Sequence, residues 1–155
     1  AIFYQYGELR QAPVFARVIV GARHQSEIRT TDQLNVILRP HCPRRRENKI
    51  FAQVYQAIRI EVNQELEALK EFLNQTPDLL TKGGRLSLIS YHSLEDRLVK
   101  RFIRSGLFEG EPEKDMFGNI DVPFKKVGKL IIPSEEEVEL NSRARSAKLR
   151  IAERI

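Results

Sequence analysis

The amino-acid sequence predicts an α/β fold in which a helical module precedes a small sheet. Ahead of Gly83-Gly84 apolar residues recur at helical spacing; behind it short strand-compatible runs alternate with a helical stripe. The composition agrees: 155 residues with 41% apolar and 30% charged content suit one globular domain, or one domain with a small appendage. A chain of this length buries a core without disulfides or metal. The single cysteine, Cys42, cannot form an internal bridge and is compatible with a reducing cytoplasm. Arg17 breaks the apolar run from Val14 to Val20, and other such runs are broken equally early, which excludes a membrane helix. No basic-then-apolar stretch suggests secretion.

In chain order, Ile2 to Tyr6 is a short apolar start that Gly7 interrupts. Pro13 sits where a first helical turn tolerates proline, and Val14, Ala16, Val18, Ile19 and Ala22 form the stripe of a helix reaching about Arg23. Thr30-Thr31-Asp32 caps a short helix carrying Leu34, Val36, Ile37 and Leu38, which Pro40 and Pro43 end. A long helix from Lys49 to Gln75 follows, with Ile50, Val54, Ile58, Val62, Leu66, Leu69 and Leu73 on one face. Pro77 starts another turn, and Gly83 takes the place of a helix C-cap.

Beyond the glycines, Arg85 to Tyr91 reads as a buried strand. Ser93 and Asp96 read as a capping box for a helix with Leu94, Leu98, Val99, Phe102 and Ile103 on its inner face. Gly106 to Val122 is an irregular loop, Phe124 to Ile132 a strand, and Pro133-Ser134 with three glutamates an acidic helix start. The last segment alternates Ala147, Leu149 and Ile151 against Ser146, Lys148 and Arg150, a half-buried strand whose apolar side should face inward. Three strands are few for an open sheet, so its edges are expected to need company from further chain, from a homodimer partner or from edge-to-edge self-association.

Twenty-six bases against 21 acids give a net charge of +5, and the excess lies in two clusters. Arg39 to Lys49 holds five bases and one acid; Asn141 to Ile155 again holds five against one. Arginine-rich clusters suit a phosphate-bearing partner such as nucleic acid, the reading favoured over its alternative, a merely solvated surface. The segment from Ser90 to Arg97 gathers functional side chains at a strand-to-helix junction, where ligands of α/β sheets bind. Capping accounts for Ser93 and Asp96, whereas His92 is not needed for it. No metal-ligand spacing, nucleophile elbow, dinucleotide glycine motif or P-loop is present, and the residues alone name no reaction.

The same segments carry a resemblance. The run from Gly83 to Phe102, GGRLSLISYHSLEDRLVKRF, is similar to the signature of the ribosomal RNA small subunit methyltransferase H family. Asn141 to Glu153, NSRARSAKLRIAE, resembles that family's C-terminal motif, and Gln56 to Leu66, QAIRIEVNQEL, resembles its long helix. Phe51-Ala52 stands where members often carry His-Pro, and Ser142 where they often carry Pro.

The resemblance implies a class I, Rossmann-like methyltransferase sheet with a helical inserted module. Residues 1–75 would be the inserted, RNA-recognising module and its return helix, and residues 76–155 the last three strands and their helices. It implies S-adenosyl-L-methionine as methyl donor, N4 of a cytidine in 16S ribosomal RNA of the small subunit as target, and a cytoplasmic location. The family's glycine-rich donor loop has no counterpart here, so the chain is expected to be a carboxyl-terminal part, inactive alone and holding no cofactor-binding residue. Ser90, Tyr91 and His92 are the expected target-base residues, orienting the exocyclic amine and receiving its proton. Arg44, Arg45, Arg46, Lys49, Arg59, Asn63, Arg143, Arg145 and Lys148 are the expected RNA contacts. The alternative is a non-catalytic RNA-binding module.

Overall fold

A computed structural model describes residues 1–155 and divides them into two units, 1–65 and 66–155, each with its own apolar core. The first unit is helical: α1 (Ile2–Gln5), α2 (Ala12–Gln25), α3 (Thr31–Leu38) and α4 (Glu47–Asn63), with 3-10 turns at Arg39–His41 and Arg44–Arg46. Thr30 opens α3 as expected: its hydroxyl accepts from Gln33 N at 3.2 Å while Gln33 Oε1 accepts from Thr30 N at 3.1 Å. Leu9, Phe15, Leu38, Ile50 and Val54 make the core. Phe15 is the buried anchor of α2, whereas Val14 and Ala16 of the expected stripe face solvent, because the larger ring takes the inward position. Gln53 and Gln56 fix the preceding chain by donating to the carbonyls of Gly7 (2.9 Å) and Tyr6 (3.0 Å). A side chain at Gly7 would meet Phe3 O at 2.7 Å, so only glycine fits that approach.

The long helix expected from Lys49 to Gln75 is two helices. Gln64 takes a left-handed conformation with φ of 52° and closes α4; α5 (Glu65–Leu79) begins at the next residue. The inward face of α4 is correspondingly Ile50, Val54, Ala57 and Ile60, while Val62 is 73% exposed. Pro77 lies inside α5 rather than starting a turn. Lacking an N–H, it leaves the Leu73 carbonyl without its helical donor, and the buried Thr76 hydroxyl supplies one at 2.7 Å. Gly83 does not cap α5: it sits at φ of 82° and donates to Arg154 O, steering the chain into the sheet.

The second unit has strands β1 (Arg85–Ser90), β2 (Phe124–Ile131) and β3 (Lys148–Arg154), with helices α6 (Ser93–Ser105) and α7 (Glu135–Leu140) between them. The order is β1-β3-β2, with both pairings antiparallel, so β1 and β2 each keep one unpaired edge. This is an α/β arrangement, as expected. Leu86, Val99, Phe102, Ile103, Phe124 and Ala152 form the core, with Phe108 stacked on Phe102 at 5.3 Å.

The alternation of β3 is present but inverted. Its inward face is Arg150 and Ala152, opposite Leu88 and Leu86, while Leu149 and Ile151 share the other face with Ile89, which is 59% exposed. The inward arginines are accommodated because each finds oxygen: Arg150 on Asp96, and Arg154 on the Pro77 and Pro123 carbonyls at 3.0 Å each. Gly106, in the left-handed region, ends α6, and the loop to Val122 is irregular apart from one Lys114–Ile120 bridge. No helix is long and apolar enough to cross a membrane.

Candidate functional site

Antiparallel pairing sets Ser90 at the end of β1 opposite Lys148 at the start of β3, so the segments that follow β1 and precede β3 meet at one end of the sheet. Those segments are Tyr91-His92 and the 3-10 turn Ser142–Ser146. The structure therefore brings Ser90, Tyr91 and His92 to the same rim as Arg143 and Arg145.

His92, and not Ser93, is the N-cap of α6, and its reciprocal partner is Glu95, not Asp96. Two overlapping boxes are written in the sequence, and the one used leaves Asp96 available for β3. His92 Nδ1 accepts from Glu95 N at 3.4 Å, and Glu95 Oε2 accepts from the backbone N–H of Tyr91 (2.9 Å) and of His92 (3.4 Å). With Nδ1 an acceptor, the neutral ring carries its proton on Nε2. That nitrogen is buried, lies 3.3 Å from Glu95 Oε1, and is not aligned with any hydrogen-bond partner. Burial pushes the Glu95 carboxyl up, but the adjacent His92 imidazole and the hydrogen bonds from the Tyr91 and His92 backbone N–H groups outweigh it and hold the group below its ordinary range. Glu95 is thus the group that positions the imidazole; its place three residues after His92 is the signal the sequence offers.

Ser90 is buried and Tyr91 is 57% exposed, so the strand end offers a polar floor and an exposed ring. Asp96 binds Arg150 through Nε at 2.7 Å and a second guanidinium nitrogen at 3.1 Å, and Lys148 at 3.4 Å. The Arg150 guanidinium, with Lys148, holds the Asp96 carboxyl below its ordinary range. Lys148 therefore faces a carboxylate already, while Arg143 and Arg145 stand exposed and without ion pairs. Their turn is anchored by buried Ala144 and capped by Asn141, whose side chain accepts from Arg143 N at 3.2 Å.

In the helical unit, Arg44, Arg45 and Arg46 occupy an exposed 3-10 turn just before α4, with Lys49 in its first turn. Arg59 and Asn63 lie elsewhere on that helix and converge on Glu65: Arg59 Nε at 2.7 Å and a second nitrogen at 3.1 Å, Asn63 Nδ2 at 3.2 Å. Neither presents an unmatched group comparable with the arginine turn.

The acids at the β1–α6 junction are engaged by the protein, Glu95 by two backbone amides, Asp96 by Arg150 and Lys148. Neither stands free for the ribose hydroxyls of a nucleoside methyl donor, so this junction does not fit that group. What the junction can do is offer a buried imidazole N–H, an exposed aromatic ring and free guanidinium groups to a ligand with a hydrogen-bond acceptor, a flat face and phosphates.

Comparison with known proteins places the chain in a family. The sequence profile of the MraW methylase family matches residues 1–155. The chain is 66% identical over 154 residues to the ribosomal RNA small subunit methyltransferase H of Christiangramia forsetii, covering 99% of this chain and 51% of that protein. It is 63% identical over 154 residues to the protein of the same name from Flavobacterium johnsoniae, with 99% and 51% covered, and 55% identical to that of Cytophaga hutchinsonii, with 99% and 52% covered. The chain thus spans about half the length of the curated relatives it matches. With a full-length profile match and identities this high, the chain belongs to the MraW methylase family.

Proposed function

We propose that this chain supplies the substrate-facing part of an S-adenosylmethionine-dependent methyltransferase that methylates N4 of a cytidine in 16S ribosomal RNA. The methyl donor is held by residues other than those of the β1–α6 junction. On this reading the three strands belong to a Rossmann-like sheet, the helical unit is an RNA-recognition module, and the chain without a donor site is inactive. The observation that carries the reading is the buried, unaligned Nε2 of His92 beside Ser90 and Tyr91, on the rim that also displays Arg143 and Arg145.

An exocyclic amine conjugated to a pyrimidine is a weak nucleophile, so the protein's task is alignment and water exclusion. His92 Nε2–H suits the pyrimidine's acceptor edge, and Glu95 keeps the ring in that orientation. The imidazole in this tautomer is a donor, so it does not take the amine proton; Ser90 Oγ, buried at the strand end, is assigned to accept the amine's hydrogen bond and hold its orientation, and the proton leaves to solvent water after methyl transfer. Tyr91 stacks on the base once it is turned out of its helix. Arg143 and Arg145, with Arg44, Arg45 and Arg46, take the flanking phosphates.

The test is nucleoside mass spectrometry of small-subunit rRNA from cells lacking the native gene, complemented with the complete methyltransferase gene in wild-type or His92→Ala form. Loss of N4-methylcytidine at one site in the variant alone supports the reading. Full methylation by the variant, or a different modified nucleoside in the wild type, overturns it.

A further inference from the structure

We infer that the second unit carries a further RNA-binding groove, between α6 and the outer strand β2, that takes single-stranded RNA flanking the target nucleotide; this rests on the rRNA reading above. The groove encloses about 340 Å³. Its apolar lining includes Ile103 of α6 and Phe124, Val127 and Leu130 of β2. Six of its twelve lining residues are Lys or Arg and none is acidic. Two of the six are already matched, Arg150 by Asp96 at 2.7 Å and Lys125 by Glu153 at 2.8 Å. The other four, Lys100, Arg104, Lys126 and Lys129, are exposed and have no ion pair.

An apolar lining with four unmatched cations is complementary to a ligand with flat, poorly hydrated faces on a polyanionic backbone. Single-stranded RNA has that chemistry: bases pack on the apolar lining and phosphates meet the cations. An acidic peptide adding a strand to the β2 edge fits less well. The register of β2 slips between Val127 and Ile131, around Gly128 at φ of 66°, which breaks the regular ladder such a peptide would extend. The groove is also joined to the candidate site by one side chain, since Arg150 lines it and grips Asp96 in the first turn of α6.

The experiment is fluorescence anisotropy of the full chain with a short single-stranded uridine oligonucleotide over a salt series. Lys126→Ala with Lys129→Ala is expected to weaken binding about tenfold and to make the plot of log affinity against log salt shallower by about 1.4, about 0.7 for each phosphate left without its cation. Lys126→Arg with Lys129→Arg should bind as the wild type does, and thermal melts confirm that both variants fold. Lys100→Ala with Arg104→Ala, from the opposite wall, should weaken binding to a similar degree. If both groove alanine pairs bind like the wild type while Arg143→Ala with Arg145→Ala binds weakly, the groove inference fails and the rRNA reading stands. If no pair alters binding, both fail. Polyglutamate displacing the oligonucleotide as effectively as unlabelled RNA does would assign the groove to an acidic protein and overturn the inference.

Discussion

Arg150 and Asp96, 54 residues apart, are joined by two hydrogen bonds of 2.7 and 3.1 Å that tie the middle strand to the first turn of α6. Both side chains are largely buried, 14% and 12% exposed, so neither tolerates loss of the other. Asp96→Ala should destabilise the protein by about 3 kcal/mol, as expected when one partner of a buried pair is removed. Adding Arg150→Met should restore most of that stability by removing the stranded charge. Urea midpoints of the single and double variants check this; equal instability in both would show that packing, not charge, is what the substitution damages.

The same pair sets an acid dependence. Asp96 is held below its ordinary range in the folded state, so it binds a proton more readily when unfolded. Its stabilising contribution is complete above the unfolded value, about 3.9, and is lost as pH falls through the depressed folded value. Glu95 acts in the same sense from about 4.3 downward. Asp96→Asn should therefore flatten the acid limb of stability against pH, measured as urea midpoints between about pH 7 and pH 3.

How much of this is legible in the sequence differs by element. Strand β1, helix α6 and the final strand are readable because their apolar spacing and their Gly and Pro boundaries agree. The stop at Gln64 is not, since glutamine carries no signal for a left-handed residue and the apolar spacing runs straight through it. The cap of α6 lies one residue before the expected one. Ser93 is the better capping type, and only a contact with a strand more than 50 residues away reserves Asp96 for Arg150. The inversion of β3 has a similar cause: a strand face of Arg150, Ala152 and Arg154 reads as solvent until its carbonyl and carboxylate partners are in place. Of the site, Ser90 to His92, Arg143 and Arg145 can be singled out in the sequence, whereas their meeting at one end of the sheet, the role of Glu95 and the neutralisation of Arg59 by Glu65 depend on geometry.

Thr76 and Pro77 form a second dependence of one residue on another. Thr76→Val removes the only hydroxyl that serves the Leu73 carbonyl next to a proline, leaving a buried acceptor unpaired at a cost of about 1–3 kcal/mol. In a Pro77→Ala background the restored N–H can reach that carbonyl, so the same substitution should cost less. A double-mutant cycle from denaturant unfolding measures the difference; additive effects would sink this account of Thr76.

Among the expected RNA contacts, the ion pairs separate strong from weak. Arg143 and Arg145 are unmatched, whereas Arg59 is held by Glu65 through two hydrogen bonds. Arg143→Ala with Arg145→Ala should weaken RNA binding and flatten its salt slope by about 1.4. Arg59→Ala should change the slope little, because a guanidinium already paired with Glu65 neutralises no phosphate. A salt titration of RNA affinity distinguishes them; an equal flattening from Arg59→Ala would mean that RNA displaces Glu65.

His92 gives the sharpest test of the site, because its two nitrogens have different work. Nδ1 caps α6 and Nε2 is left for a ligand. His92→Asn keeps a short polar cap but cannot present a donor at the Nε2 position, whereas His92→Gln can place an amide N–H near it. In the complete methyltransferase His92→Asn should retain the melting temperature and lose about 100-fold in methyl-transfer rate, the scale set by removing one aligned donor. His92→Gln should melt lower and keep more of the rate. Reversal of that order, with activity following the cap rather than the donor, would reduce His92 to a helix start.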